Sequence, residues 1–351
     1  MKKALAIGIS IFFFLILILG TSEKKLADFK DFRDDFGFLR SQKYAYGDLY
    51  GFSYMPEFRI AKPAKSETVE IVKNNSEKKI NLYSFCDSYL YSFVNSTDKF
   101  NSVKTYEYQK DNDKNPPTFK IDTNQFNVLL VEAVERNIRM LFTDTNYTCS
   151  KLNYIKSTPK QPEKYNSPTP HNFAYIFFNP LIETCLEYCL FDYALFNPIR
   201  ELKAYINYHI FDRLDKDVSI SDDKKYLFYY ATVNDSRGSF SELNDKEIDK
   251  IVASLNYIND KALKTGFDKV YFSFMPNPVS IIGYQNKRYN KLIPRIQTHK
   301  NLSVNVIDAY TLFRDANIQV FKNSDTHWNK NGFNMWMNLF NKELDSIAVE
   351  K

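Results

Sequence analysis

Four short runs of nearly uninterrupted apolar residues punctuate an otherwise mixed chain: Ile80 to Phe85, Phe126 to Val134, Val270 to Met275 and Val304 to Ile307. A strand with one wet face alternates apolar and polar side chains, whereas a parallel strand covered on both faces does not. The runs therefore predict a buried parallel sheet. Helical periodicity lies between and after them. Ile248, Ile251, Val252, Leu255, Ile258 and Ala262 form one apolar stripe, with Asn244 and Glu247 spaced as a capping box and Gly266 as a C-terminal stop. A last helix is predicted from near Gly332, with Phe333, Trp336, Met337, Phe340, Leu344 and Ile347 on one face. Helices alternating with buried strands define an open α/β sheet, which places ligands beyond the carboxyl ends of its strands.

Two stretches break that rhythm. The segment at about 142–245 carries Pro159, Pro162, Pro168, Pro170, Pro180 and Pro198, many aromatics and an amphipathic stretch near Glu201 to Leu214. It is too long for a βα connection and reads as an inserted subdomain, a lid or wall of a substrate site. At the N-terminus, Met1-Lys2-Lys3 precedes an unbroken apolar run of 17 residues, Ala4 to Gly20. At about 1.5 Å per residue that run reaches roughly 25 Å, just enough for a bilayer. With no small-x-small site after it, an uncleaved signal anchor over 1–22 is preferred to a cleaved signal peptide. Residues 23–75 follow as a stalk and docking segment, aromatic and turn-rich from Tyr46 to Phe58, and 76–351 form the main domain.

Length and composition belong to a globular protein with a sizeable core: 351 residues, 44% hydrophobic, 25% charged. The net charge of +5 is small and its signs are interspersed, which argues against a nucleic-acid partner. The export signal predicts a membrane-anchored protein facing the periplasm or cell exterior. Four cysteines, Cys86, Cys149, Cys185 and Cys189, then face an oxidising compartment. They lack metal-ligand spacing and admit three full pairings that sequence does not choose among.

The chemistry concentrates in two short strings. Asp87-Ser88 follows the first strand, and Asp325-Thr326-His327-Trp328-Asn329 precedes the last helix. Taken alone, Asp87 or Ser88 reads as a helix cap, Asp325 as another, and His327 as a surface residue. Taken together they supply a nucleophile (Ser88), its base (His327) and a carboxylate that orients the base (Asp325). Trp328 would wall the site and Gly332 would allow a tight turn into the final helix.

These strings resemble the SGNH/GDSL hydrolase superfamily, and the Asp-x-His-Trp form is similar to its alginate O-acetyltransferase-like (DHHW-type) branch. Val131-Glu132-Ala133-Val134-Glu135-Arg136 adds to the likeness, because that branch carries an acidic strand ending in Glu-Arg. The resemblance covers residues 76–345 outside the insertion. It implies a three-layer α/β/α sandwich with a flavodoxin-like parallel sheet, and a Ser-His-Asp triad acting on ester-linked acyl groups, often acetyl groups on carbohydrate. The pattern departs in two places: Cys86 stands where the family has Gly before Asp-Ser, and no Gly-x-Asn-Asp block is present for the oxyanion. Arg136 and Asn277 are the substitutes considered, with Asp87 and Trp328 as further candidates for contact with substrate or oxyanion. Arg136 stands equally as an ion-pair partner of Glu132 or Glu135 and Asn277 equally as a turn residue.

The resulting expectation is a serine-dependent acyl-ester hydrolase or O-acyltransferase, with no metal or organic cofactor. Its substrate would be an envelope or extracellular carbohydrate, with other envelope polysaccharide-modification proteins as possible partners. A catalytically silent polysaccharide-binding or assembly protein is the rival, and an enzyme dependent on Cys86 a third reading.

Overall fold

The computed structural model describes residues 2–20, 43–59, 69–73, 79–111, 119–143 and 191–349. In chain order its principal elements are α1 (Lys2–Gly20), α2 (Asp48–Ser53), β1 (Ile80–Cys86), α3 (Ser88–Tyr91), β2 (Val103–Lys110), β3 (Phe126–Val134), α4 (Glu135–Thr143), α5 (Asn197–Phe211), β4 (Val218–Ile220), β5 (Leu227–Tyr229), α6 (Asp245–Thr265), β6 (Lys269–Met275), α7 (Pro278–Ile282), α8 (Leu292–Gln297), β7 (Asn305–Ile307), α9 (Ala309–Arg314) and α10 (Lys330–Val349). Two compact units emerge, one of Met1–Ala61 with Glu163–Asp215 and one of Lys62–Pro162 with Lys216–Lys351.

The larger unit is α/β. Its five strands pair in the order β2-β1-β3-β6-β7, every pairing parallel. All four apolar runs are strands of this sheet. The reason is visible in the alternation of their side chains between two cores. Leu82, Val128, Leu130 and Tyr271 point into a cluster with Trp336, Phe340 and Leu344 of α10. Tyr83, Leu129, Val131 and Phe272 point the other way, onto Ile251, Leu255 and Ile258 of α6 and Ile293 of α8. With helices on both faces, neither side of a strand needs to be polar.

β2 escapes sequence reading because it is an edge strand. Its Lys104, Thr105 and Glu107 are exposed, so it lacks a continuous apolar run. The short antiparallel pair β4–β5 is likewise too brief to leave a pattern.

The predicted stop signals of α6 hold in part. Asn244 Oδ1 accepts the Glu247 N–H at 2.9 Å, and Gly266 takes φ 119 at the C-terminus. The reciprocal half of the capping box is absent, because the Glu247 carboxylate is held instead by Arg139 Nε at 2.6 Å and Nη2 at 2.9 Å.

The smaller unit contains α1, α2 and α5. The aromatic Tyr46–Arg59 region bonds to α5: Tyr50 Oη donates to Glu201 Oε1 at 2.5 Å, and Arg59 lies 3.5 Å from the same carboxylate. The Glu201–Leu214 amphipathic stretch is thus helical to Phe211, and clusters with the N-terminal region. Residues 144–190 of the expected insertion, with Cys149, Cys185 and Cys189, lie outside the described residues.

The predicted membrane anchor gains no support. Among the described residues no helix is long and apolar enough to cross a membrane. α1 has 19 residues including Lys2 and Lys3, about 28 Å against a hydrocarbon core of about 30 Å.

Candidate active site

The strand order reverses between β1 and β3, since β1 connects onward to β2 on one side while β3, β6 and β7 build out on the other. At such a switch point the carboxyl ends of neighbouring strands leave a crevice. Asp87 and Ser88 emerge from β1 there, and Glu135 and Arg136 from β3 beside them.

Asp87 is a clamp. Its Oδ1 accepts the Tyr89 N–H at 2.8 Å as the N-cap of α3, and its Oδ2 accepts the Val134 N–H at 2.8 Å at the end of β3. The cap role therefore belongs to Asp87, which is buried with both carboxylate oxygens engaged by backbone N–H groups. Ser88 is left as the first residue of α3 with its hydroxyl directed at His327.

His327 arrives from the opposite end of the sequence on a tight loop. Phe321 and Trp328 pair as an antiparallel bridge, and the Lys322 N–H donates to the His327 carbonyl at 3.2 Å. Asn329 secures the base of this loop: its Nδ2 donates to the Gln319 carbonyl at 2.7 Å, while its Oδ1 accepts the Gly332 N–H at 3.0 Å and caps α10. From the other side, β5 holds the loop through the Leu227 N–H, which donates to the Asn323 carbonyl at 2.7 Å.

The three predicted residues meet. His327 Nε2 is 2.7 Å from Ser88 Oγ, and His327 Nδ1 is 2.6 Å from Asp325 Oδ1. Both lie in hydrogen-bond range. Asp325 also accepts the His327 N–H at 3.0 Å and faces Lys322 Nζ at 3.0 Å. Burial acts to raise the Asp325 pKa, but the His327 hydrogen bond, the His327 charge and Lys322 outweigh it and hold the carboxyl well below the usual range. A carboxylate kept ionised beside Nδ1 fixes the ring tautomer that leaves Nε2 able to take the Ser88 proton.

One expected role needs correction. Trp328 does not wall the site: it is fully buried, in ring contact with Phe93, Phe313, Phe333 and Trp336, and anchors the loop from below. Gly332 does serve the entry into α10, and the demand there is close approach: a Cβ would lie 2.4 Å from the Val320 carbonyl oxygen.

Asn277 is occupied elsewhere. Its N–H donates to Glu135 Oε2 at 2.9 Å and its Nδ2 to Ser239 Oγ at 3.0 Å, inside a buried network with Ser280. Burial pushes the Glu135 carboxyl up, though these bonds oppose it. Arg136 pairs with neither Glu132 nor Glu135. Its guanidinium carbon lies 6.0 Å from the Tyr89 ring centroid, and its Nη1 is buried with no hydrogen-bond partner.

Sequence reasoning gave two further residues no position beside Asp87 and His327. Tyr89, fully buried, holds its ring centroid 4.9 Å from that of His327 at a tilt of 41° and donates its hydroxyl to the Thr326 carbonyl, tying α3 to the histidine loop. Glu132, from the middle of β3, accepts the Asp87 N–H. An aromatic next to Asp-Ser and an acid inside an apolar strand were the signals available. Cys86 is buried beneath the site, and burial pushes its thiol well above the ordinary range, which suits packing rather than attack.

No protein-family model, curated protein or solved structure matches this chain.

Proposed function

We propose that this chain is a serine-dependent acyl-ester hydrolase or O-acyltransferase of SGNH type, with the flavodoxin-like three-layer fold of that superfamily. The observation that carries the reading is the continuous bond path from Ser88 Oγ to His327 Nε2 at 2.7 Å and from His327 Nδ1 to Asp325 at 2.6 Å.

In the first half-reaction His327 Nε2 takes the Ser88 proton as Oγ bonds to the acyl carbonyl carbon. The tetrahedral intermediate collapses by expelling the ester alcohol, which receives that proton from His327 and leaves an acyl-Ser88. In the second half-reaction His327 deprotonates water or a sugar hydroxyl, whose oxygen bonds to the acyl carbonyl carbon. The second tetrahedral intermediate then collapses by breaking its bond to Ser88 Oγ, which takes the proton back from His327 as the free acid or the acylated sugar leaves. The Ser88 N–H, at the first position of α3, is one oxyanion donor, and the unpaired Arg136 Nη1 is assigned as the second.

The substrate class, an acylated carbohydrate of the cell envelope reached by an exported and membrane-held enzyme, rests on family resemblance and on the apolar N-terminal helix. The test is labelling with a serine-reactive fluorophosphonate. Wild type should label and Ser88→Ala should not. Equal labelling of Ser88→Ala would overturn the role of Ser88, and absence of labelling in wild type would favour the alternative, a catalytically silent SGNH-like polysaccharide-binding or assembly protein.

A further inference from the structure

α5 is packed inside out. Its polar stripe faces the rest of the small unit: the Arg200 and Glu201 side chains are only 16% and 13% exposed, and they are bonded to Tyr54, Tyr50, Asp192 and Arg59 of that unit. Its apolar stripe faces away, with Ile199 64%, Leu202 59% and Ile210 66% exposed, and Ile206 between them on the same face. Helices in water bury the apolar stripe and wet the polar one. The inversion here is stabilised by named hydrogen bonds, so the outward apolar face is the intended orientation of the helix.

The occupant of that face is identified by what else the unit contains. α1 belongs to the same compact unit. It exposes Leu5, Ile7, Ile9, Phe12 and Phe14, and its described side chains are exposed on every side of the helix axis. A groove on a partner protein covers one face of a helix, whereas a helix apolar all round belongs in a protein core or in lipid, and the described side chains of α1 are covered by no part of this chain. α5 itself has 15 residues, about 22 Å, too short to cross a bilayer of about 30 Å. We infer that α5 lies flat in the headgroup–acyl boundary of a lipid bilayer, its Ile199–Leu202–Ile206–Ile210 stripe immersed, making the small unit a membrane-docking unit in its own right. The flanking exposed charges are mixed, Lys203 and Arg213 with Asp212 and Asp215, so docking rests on apolar burial and needs no anionic lipid. The inference is independent of the triad.

A probe on α5 separates its contribution from that of α1. Leu202→Trp in the full chain is mixed with vesicles of brominated phosphatidylcholine. The difference emission against wild type should shift to the blue and be quenched by the bromines. Adding phosphatidylglycerol should change vesicle affinity less than about threefold. The double variant Leu202→Glu, Ile210→Glu alters only exposed positions and should weaken vesicle partitioning by about tenfold or more. A Leu202→Trp emission that vesicles leave unchanged would overturn the inference. So would a blue shift that appears without lipid and grows with protein concentration, which would make the stripe an interface between copies of the chain.

Discussion

Glu132 Oε2 accepts the backbone N–H of Asp87 at 3.0 Å, so an acid from the centre of the sheet stands directly behind the nucleophile's own loop. Glu132 is completely buried and its Oε1 has no hydrogen-bond partner. Burial first, and then the neighbouring Asp87 carboxylate, push its pKa well up. Such an acid favours folding below its unfolded pKa of about 4.3, and loses that contribution as pH climbs toward the folded value. Glu132→Gln keeps an oxygen acceptor for Asp87 and removes the titration. Urea unfolding across about pH 5 to 8 should show a flatter decline for this variant, by up to about 1.4 kcal/mol per pH unit. Glu132→Leu, which strands the Asp87 N–H, should lose about 1–3 kcal/mol at every pH. Equal pH slopes for wild type and Glu132→Gln would show that Glu132 does not titrate.

Asp325 has the opposite sign. Its pKa is depressed despite burial, so its stabilising contribution is present above about pH 3.9 and is lost as pH falls through the folded value. Asp325→Asn should make the acid limb of stability shallower. The same variant should lower kcat on an acyl-ester substrate such as p-nitrophenyl acetate by about 10⁴-fold, because an amide presents its NH₂ to Nδ1 and favours the wrong tautomer. A kcat within tenfold of wild type would break the assigned role of the carboxylate.

Arg136 is assigned to the oxyanion on the strength of an unpaired buried Nη1 near Tyr89. Arg136→Ala should then reduce kcat by about 100- to 1000-fold with KM nearly unchanged, since the oxyanion exists only in the transition state. A rise in KM at constant kcat would move Arg136 to ground-state substrate binding.

Gly332 carries the packing of the histidine loop onto α10. A methyl group there meets the Val320 carbonyl oxygen at 2.4 Å and Trp328 Cβ at 3.0 Å. Gly332→Ala should destabilise the protein by about 1–3 kcal/mol in thermal unfolding, despite the better helix propensity of Ala. Turnover should fall with it, because the same loop carries His327. An unchanged Tm would mean that the backbone yields there without strain.

Much of this molecule is legible in one dimension because local patterns answer to local physics. The near-continuous apolar runs suit strands covered on both faces, and the stripes of α6 and α10 show which side of each helix meets them. The Asp-Ser and Asp-x-His pairs announce their chemistry by residue type, although 239 positions separate Ser88 from His327. What the chain alone left undecided depends on distant partners. Asp87 and Ser88 were equivalent cap candidates until β3 offered its Val134 N–H to one of them. Trp328 reads as a pocket wall until the aromatic core beneath it is seen. The polarity of α5 gives a stripe but not the side that faces water, because Tyr50, Tyr54 and Arg59 turn the charged side inward. Sequence determined which residues have the capacity to act; only the tertiary structure decided which partners they find, since hydrogen bonds and close packing are settled by neighbours that the linear order does not contain.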